Sequence, residues 1–313
     1  MNKPLIPELV QKLALFDQIH IQHPRMQNIH GTFDHMREIG RSQQGQRKRH
    51  RGLRILGPSF SGKTRSIESY RAANGMGRED FTVLHVELQQ NATPKRLWID
   101  ILTAFGDGFA TLGSEEIVKR RAQQYFEQLK VELIIFDEVQ QLLRRGSTAR
   151  AWSISEALKR LLDEGYAPIV FVGTLEALPI FTSNPQINNR LLPPIDLTPL
   201  DATVKEDRML FCGYCGLLDE RMVQLGCVEQ CANLMDPHIL SGLYLVSGGV
   251  VGVVSNLLRH AMETAYRNDR QHIWISDLEF AVDRWAISGG ICQTNPFAGK
   301  DKTKSSGPDP WEL

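Results

Sequence analysis

Residues 57–64 read GPSFSGKT, and the segments on either side decide what this stretch is for. RGLRIL (51–56) precedes it as a short buried strand, and TRSIESYRAA (64–73) follows it as a helix. The pattern is G-x-x-x-x-G-K-[ST]. Its glycines let backbone N–H groups turn inward around phosphate oxygens. Its lysine reaches the β- and γ-phosphates, and its threonine hydroxyl can hold Mg²⁺. A helix that starts at the loop adds the positive end of its dipole to the same place. The expected nucleotide-binding set is Gly57, Pro58, Ser59, Phe60, Ser61, Gly62, Lys63, Thr64 and Arg65. Its implied ligands are ATP and Mg²⁺.

Composition narrows the rest. The chain has 313 residues, 42% of them apolar, enough for one large or two moderate domains with a substantial core. No run of about 18 apolar residues suggests a membrane span. The opening MNKPLIPELVQKLALF is too acidic and too interrupted by proline for a secretory signal. Lys plus Arg and Asp plus Glu are both 36, so contact with nucleic acid must come from local patches. Five cysteines, an odd number without a signal, predict reduced thiols in a cytoplasm. Cys212, Cys215, Cys227 and Cys231 have a zinc-like cadence, yet the first two also fit the core face of a helix. Both readings stay open at this level.

Outward from the loop the pattern alternates as an α/β fold does. FTVLHVEL (81–88) reads as a second strand, and LWIDILTAF (97–105) carries apolar residues at helical spacing. SEEIVKRRAQQYFEQL (114–129) is an amphipathic helix that Ser114 can cap. VELIIF (131–136) and APIVFVGT (167–174) are continuous apolar runs, as for strands buried on both faces. WSISEALKRLLDEG is a helix closed by Gly165, and PPIDL (193–197) a fifth strand. The predicted fold is a P-loop α/β core with a parallel five-stranded sheet, followed by a small helical lid. The expected divisions are an N-terminal helical segment 1–40, the core 41–200, the lid 201–290 and a flexible tail 291–313. Phe297 and Trp311 are apolar anchors in that tail.

The strand VELIIFDE supplies the other half of the site. Asp137 falls at its C-terminal end, where open α/β sheets bind ligands, and can hold the Mg²⁺ shell together with Thr64. Glu138 follows on the other side of the chain and is placed to orient and deprotonate a water. That pair favours hydrolysis over phosphoryl transfer to another acceptor. If APIVFVGT lies between the other two strands, Thr174 sits near the γ-phosphate.

GPSFSGKT, LIIFDEVQQLL (133–143), FVGT, NNRLLPPIDLTPL (188–200), SGGVVGVVSNLLRHAMETA (247–265) and the NPF ending at Phe297 together resemble an AAA+ ATPase. More narrowly, they resemble the TniB/TnsC family of bacterial transposition regulators, over roughly residues 20–298. The resemblance implies an ATP-hydrolysing regulator that assembles on double-stranded target DNA as a ring or helical filament of its own copies. It also implies recruitment of a transposase and contact with a target-selection protein of the TniQ type. By position, Arg190 matches the arginine that this class gives to a neighbouring subunit's ATP. Relatives carry a γ-phosphate-sensing arginine soon after SGG-x-x-G, whereas this chain has Val253, with Arg259 further along the helix.

The resemblance requires a DNA surface, and the sequence offers candidates. TPKRLW (93–98) presents Thr93, Lys95 and Arg96, and VKRR (118–121) presents Lys119. RKRHR (47–51) is the densest basic stretch and is expected to meet another subunit instead. Contacts of these kinds with phosphate are blind to sequence and sensitive to salt. The competing reading is a P-loop switch that acts on a protein partner without DNA.

Overall fold

The computed structural model describes residues 5–21, 23–46, 48–77, 80–90, 93–143 and 148–299. Arg47 of the basic stretch and Trp311 of the C-terminal stretch lie outside them. In chain order the elements begin with helices α1 (Leu5–Asp17) and α2 (Pro24–Ser42), strand β1 (Gly52–Leu56) and helix α3 (Lys63–Ala73). Strand β2 (Val83–Glu87), helices α4 (Pro94–Ala104) and α5 (Glu115–Gln128), and strand β3 (Leu133–Asp137) come next. Helix α6 (Thr148–Glu164), strand β4 (Ile169–Gly173), short helices α7 (Leu178–Thr182) and α8 (Pro185–Asn188), and strand β5 (Ile195–Asp196) complete the sheet region. Helices α9 (Lys205–Gln224), α10 (Pro237–Ser247), α11 (Val251–Arg267) and α12 (Ile275–Ala281) follow, and α12 runs into a π-helical turn at Val282–Ile287.

All strand pairs are parallel, in the order β2-β3-β4-β1-β5. The central β3 and β4 are buried along their whole length, which is what their unbroken apolar runs required. Alternate residues serve opposite faces. Ile134, Phe136 and Phe171 pack with Ile101, Phe126, Leu158 and Phe181 from the helices on one side. Leu133, Ile135, Val170 and Val172 pack with Phe33 and Met36 of α2 and Tyr70 of α3 on the other. The edge strand β5 is only two residues long, shorter than PPIDL promised. Pro193 and Pro194 have no N–H to donate to a neighbouring strand. Because β4 lies between β1 and β3, the loops after all three strands emerge at one edge.

The chain divides into two compact units, residues 24–197 and residues 1–23 with 198–313. The stretch 1–40, expected as one segment, is therefore split. Helix α2 belongs to the sheet unit. Arg37 and Arg41 both hold Glu132, at 2.9 Å each, and Gly40 lies flat against the Glu132 carbonyl. Helix α1 belongs to the helical unit. Its Leu9 and Phe16 join the core formed by α9–α12, and Lys12 Nζ donates to the Gly226 carbonyl at 2.5 Å. Residues 291–299, expected within a flexible tail, are docked in the same unit. Phe297 is 2% exposed and lies so close to Gly242 that a Cβ there would sit 2.5 Å from its ring. No single helix among the described residues is long and apolar enough to cross a membrane.

The Gly40 contact yields a stability test. A Cβ at Gly40 would come within 2.1 Å of the Glu132 carbonyl oxygen, and backbone cannot swing aside as a side chain can. Gly40→Ala is expected to destabilise the chain by about 1–3 kcal/mol. The check is a lower denaturant midpoint with an unchanged slope.

Candidate nucleotide site

The loop after β1 is built by close packing. Gly57 N–H donates to the Gly173 carbonyl at 3.2 Å, which ties the loop to the end of β4. A Cβ on Gly57 would meet Leu197 and Ser61 Oγ at 2.8 Å, so only glycine fits. Gly62 adopts a left-handed φ of 85° and hands the chain to α3. No side chain caps that helix, so the N–H groups of its first turn are left for an anion. Pro58, Ser59 and Phe60 span the loop, with the Phe60 ring 45% exposed, and Arg65 lies on α3 beside Glu68 at 3.6 Å.

Lys63 is buried, and its ammonium donates to the Gly57 carbonyl at 3.1 Å, the Pro58 carbonyl at 2.7 Å and Ser61 Oγ at 3.2 Å. Burial lowers its pKa, and the negative charges of Asp137 and Glu138 oppose that. The loop therefore keeps a desolvated cation in place on three oxygens, ready for phosphate.

Strand β3 brings Asp137 to the same place. Thr64 Oγ1 donates to Asp137 Oδ2 at 2.9 Å, joining two motifs that are 73 residues apart in sequence. The Glu138 N–H donates to Oδ1 at 2.8 Å, and His85 Nε2 of β2 stands 3.5 Å from Oδ2, close enough for electrostatics. Burial pushes the Asp137 carboxyl up, but His85, Thr64 and the Glu138 N–H outweigh it and hold it below the ordinary range. Paired with a hydroxyl, an ionised carboxylate is the hard-oxygen donor set that Mg²⁺ takes. Asp137 and Thr64 fit that ion.

Glu138 sits in the left-handed region at φ 59°, an uncommon setting for a residue with a Cβ and one that costs about 1 kcal/mol. Gln140 Nε2 donates to Glu138 Oε2 at 2.6 Å, while Gln140 Oε1 accepts from the Thr174 N–H at 2.9 Å. Thr174 Oγ1 is buried with no hydrogen-bond partner among the described residues. An orphaned hydroxyl is costly, about 1–3 kcal/mol, and a phosphate oxygen or a water would satisfy it. Beyond Glu138 a polar cleft opens, lined by Glu87, Leu88, Gln89, Gln90, Arg96, Glu138 and Gln141. His85 carries no motif signal, and Gln140 lies in the LIIFDEVQQLL stretch without any sign there of its contacts. Only the pairing of β2, β3 and β4 brings them to the site.

Other expected residues lie elsewhere. The Arg190 carbonyl accepts from the N–H of Gly52, at the start of β1, whereas the phosphate loop begins after its end. Five extended residues separate the two by about 16 Å, beyond the reach of one side chain. Its guanidinium is held by Asp163 through two bonds of 2.8 and 3.0 Å, and by the Gln186 carbonyl at 2.8 Å. Donating these hydrogen bonds to Asp163 raises the Arg190 pKa further. Asp163 also meets Arg49 of the basic stretch at 3.5 Å, and His50 of that stretch is buried. In the helical unit, Val253 is a core residue and Arg259 pairs with Asp17 at 3.0 Å.

The basic candidates differ in availability. Thr93 caps α4 by accepting from the Arg96 N–H. Arg96 pairs with the buried Asp100 at 2.9 Å. Lys119 pairs with Glu164 at 2.5 Å and lies over the Trp98 ring. Lys95 has no ion-pair partner among the described residues and neither has Arg120, the exposed neighbour of Lys119. Of the cysteines, Cys215 is fully buried and burial pushes its thiol pKa up, the opposite of what a thiolate ligand needs. No three His, Cys, Asp or Glu side chains converge as a metal site among the described residues.

The family model for the bacterial TniB protein matches residues 14–198, more than half of the chain. The chain belongs to the TniB family. As a TniB protein it has an AAA+ P-loop fold, and its solved likenesses agree. The Aeropyrum pernix ORC2 protein, solved with ADPNP and ADP, is 18% identical at a TM-score of 0.55, over 86% of this chain and 71% of that one. Cdc6p from Pyrobaculum aerophilum is 13% identical at 0.58, over 86% and 70%. The Aeropyrum pernix ORC1 protein, solved in complex with DNA, is 17% identical at 0.52, over 87% and 68%. No protein in the curated set matches this TniB sequence.

The Asp137 geometry has a pH consequence. A carboxyl held below its ordinary value contributes stability above about pH 4, and that contribution is lost as pH falls through the lower folded value. Asp137→Asn removes the titration. The stability gap between wild type and this variant, measured by urea unfolding, is expected to be full at pH 6–7 and to shrink progressively below about pH 4.

Proposed function

We propose that this TniB chain is a Mg²⁺-dependent ATPase that binds double-stranded DNA in its ATP-loaded form and uses hydrolysis to end that state. The observation that carries the proposal is the Thr64–Asp137 bond of 2.9 Å, with Lys63 behind it and Glu138 beside it. That constellation holds a charged phosphate chain and offers a second carboxylate free of the metal position. Thr64 and Asp137 would hold Mg²⁺, which neutralises phosphate charge when bound. Lys63 and the N–H groups of α3 bind the phosphates. Glu138 orients a water and takes its proton, and Thr174 Oγ1 contacts the γ-phosphate or that water.

Arg190 is too far along β1 to serve its own site. A role for it at phosphate requires a second copy of the chain, and Asp163 keeps its fork oriented until then. The same reading makes the assembled form a ring or filament around DNA. Recruitment of a transposase and contact with a TniQ-type protein complete the proposal, with the likeness to TniB as their support. A cytoplasmic location goes with it. The solved likenesses that hold nucleotide or DNA support this direction.

The test is turnover with and without duplex DNA. Glu138→Gln keeps the shape of the site and removes the base. ATP binding is expected to survive, hydrolysis to fall about 100-fold or more, and DNA complexes to last longer. Hydrolysis that DNA leaves unchanged, with no retention of DNA in a gel shift, would favour the protein-partner switch instead.

The DNA surface is proposed at Thr93, the cap of α4, with Lys95 and Arg96 on that helix and Lys119 and its neighbour Arg120 on α5. Lys95 and Arg120 are the members of this set without an ion-pair partner among the described residues. Lys95→Ala is expected to weaken binding equally across sequences and to reduce the log–log salt slope by about one unit per subunit contact, with ATP affinity unchanged. An unaltered slope would move the DNA surface elsewhere.

A further inference from the structure

Glu138 is the proposed base, and nothing in its own backbone holds it well. It is a strained residue at the exit of a strand, with a flexible three-carbon side chain. What fixes its carboxylate is an amide two residues on. The Thr174 N–H can only donate, so the Gln140 atom that it meets at 2.9 Å is the carbonyl oxygen. The Gln140 NH₂ is then the group that faces Glu138 Oε2 at 2.6 Å. One side chain thus spans the gap between β3 and the end of β4.

Strand β4 is shaped to admit it. Gly173 immediately precedes Thr174, and a Cβ there would stand 2.5 Å from Gln140 Oε1. Gly173 does not have a positive φ, so its backbone does not demand glycine. The missing side chain makes room for the amide. Gly173 also accepts the Gly57 N–H through its carbonyl, so the same short segment touches the phosphate loop.

We propose that Gln140 is a positioning residue for hydrolysis: its amide holds the Glu138 carboxylate in register with Thr174, so that base and phosphate-facing hydroxyl move as one body. This rests on Glu138 acting as the base. When Thr174 shifts to satisfy its unpartnered hydroxyl, the shift reaches Glu138 through a single side chain. The coupling makes proton abstraction conditional on what sits at the end of β4. Gln140 itself touches neither nucleotide nor metal in this scheme.

The experiment uses the full-length chain with Mg²⁺, ATP and duplex DNA. Gln140→Met preserves length and bulk and removes both hydrogen bonds. It is expected to lower kcat on the order of 10-fold, with KM for ATP and the affinity for a fluorescent ATP analogue close to wild type. Gly173→Ala leaves Gln140 in the sequence and displaces it, and should give the same split between kcat and KM. If both act through one clamp, the double variant loses no more than the worse single variant. Thermal unfolding of each variant identifies loss of fold, and the glycine variant decides the matter if the methionine variant does not fold. Wild-type kcat in folded Gln140→Met, or losses that multiply in the double variant, overturn the proposal while Glu138→Gln remains inactive. A wild type that does not hydrolyse ATP, or an active Glu138→Gln, overturns the reading of the base itself.

Discussion

Asp137 is a carboxylate almost wholly withdrawn from water at the end of a strand buried on both faces. A charge in that position is tolerable only if its oxygens are claimed, since leaving it unpaired costs about 3–5 kcal/mol. Here one oxygen is claimed by Thr64 from the phosphate loop, with His85 of β2 close by, and the other by the backbone of the next residue. Three parts of the chain are thereby referred to one atom group. The sheet order follows the same need. Only when β3 is flanked by β2 on one side and by β4, then β1, on the other do these donors arrive together.

The glycines at the site work by letting groups approach. Gly57 allows the phosphate loop to lie against Leu197, and Gly173 allows a glutamine amide to cross from one strand exit to another. The apolar strands supply rigidity and the glycines supply proximity. Together they hold a lysine, a threonine and two carboxylates within a small volume without a long loop to wander. The positive φ of Glu138 is part of that arrangement, at the point where the chain leaves β3.

The phosphate loop, the buried strands and the helix caps were legible because each is written in contiguous residues. GPSFSGKT carries its chemistry in eight positions, and Ser114 caps its helix by a bond to a residue three along. What could not be read depends on partners far away in sequence. Nothing in VKRR says that Lys119 would be taken by Glu164, or that Arg121 would pair with Asp107. Nothing in RKRHR says that Arg49 would share Asp163 with Arg190. Charge runs announce solvated faces, and only tertiary packing decides which members are spent on the protein itself. The division of residues 1–40 between the two units is hidden in the sequence for a related reason. Both helices of that stretch are amphipathic, and amphipathicity reveals a buried face without revealing what buries it.

That division of the N-terminal helices sets an order of events during synthesis. Helix α2 meets its partners as soon as the sheet is made, but α1 is made before the sheet and its companions after it. Its Leu9 and Phe16 must wait until α9–α12 emerge, some two hundred residues later, before they are covered. In the interval an apolar helix with no home is exposed in a chain whose central unit is already complete. A chaperone that holds nascent chains would find it there.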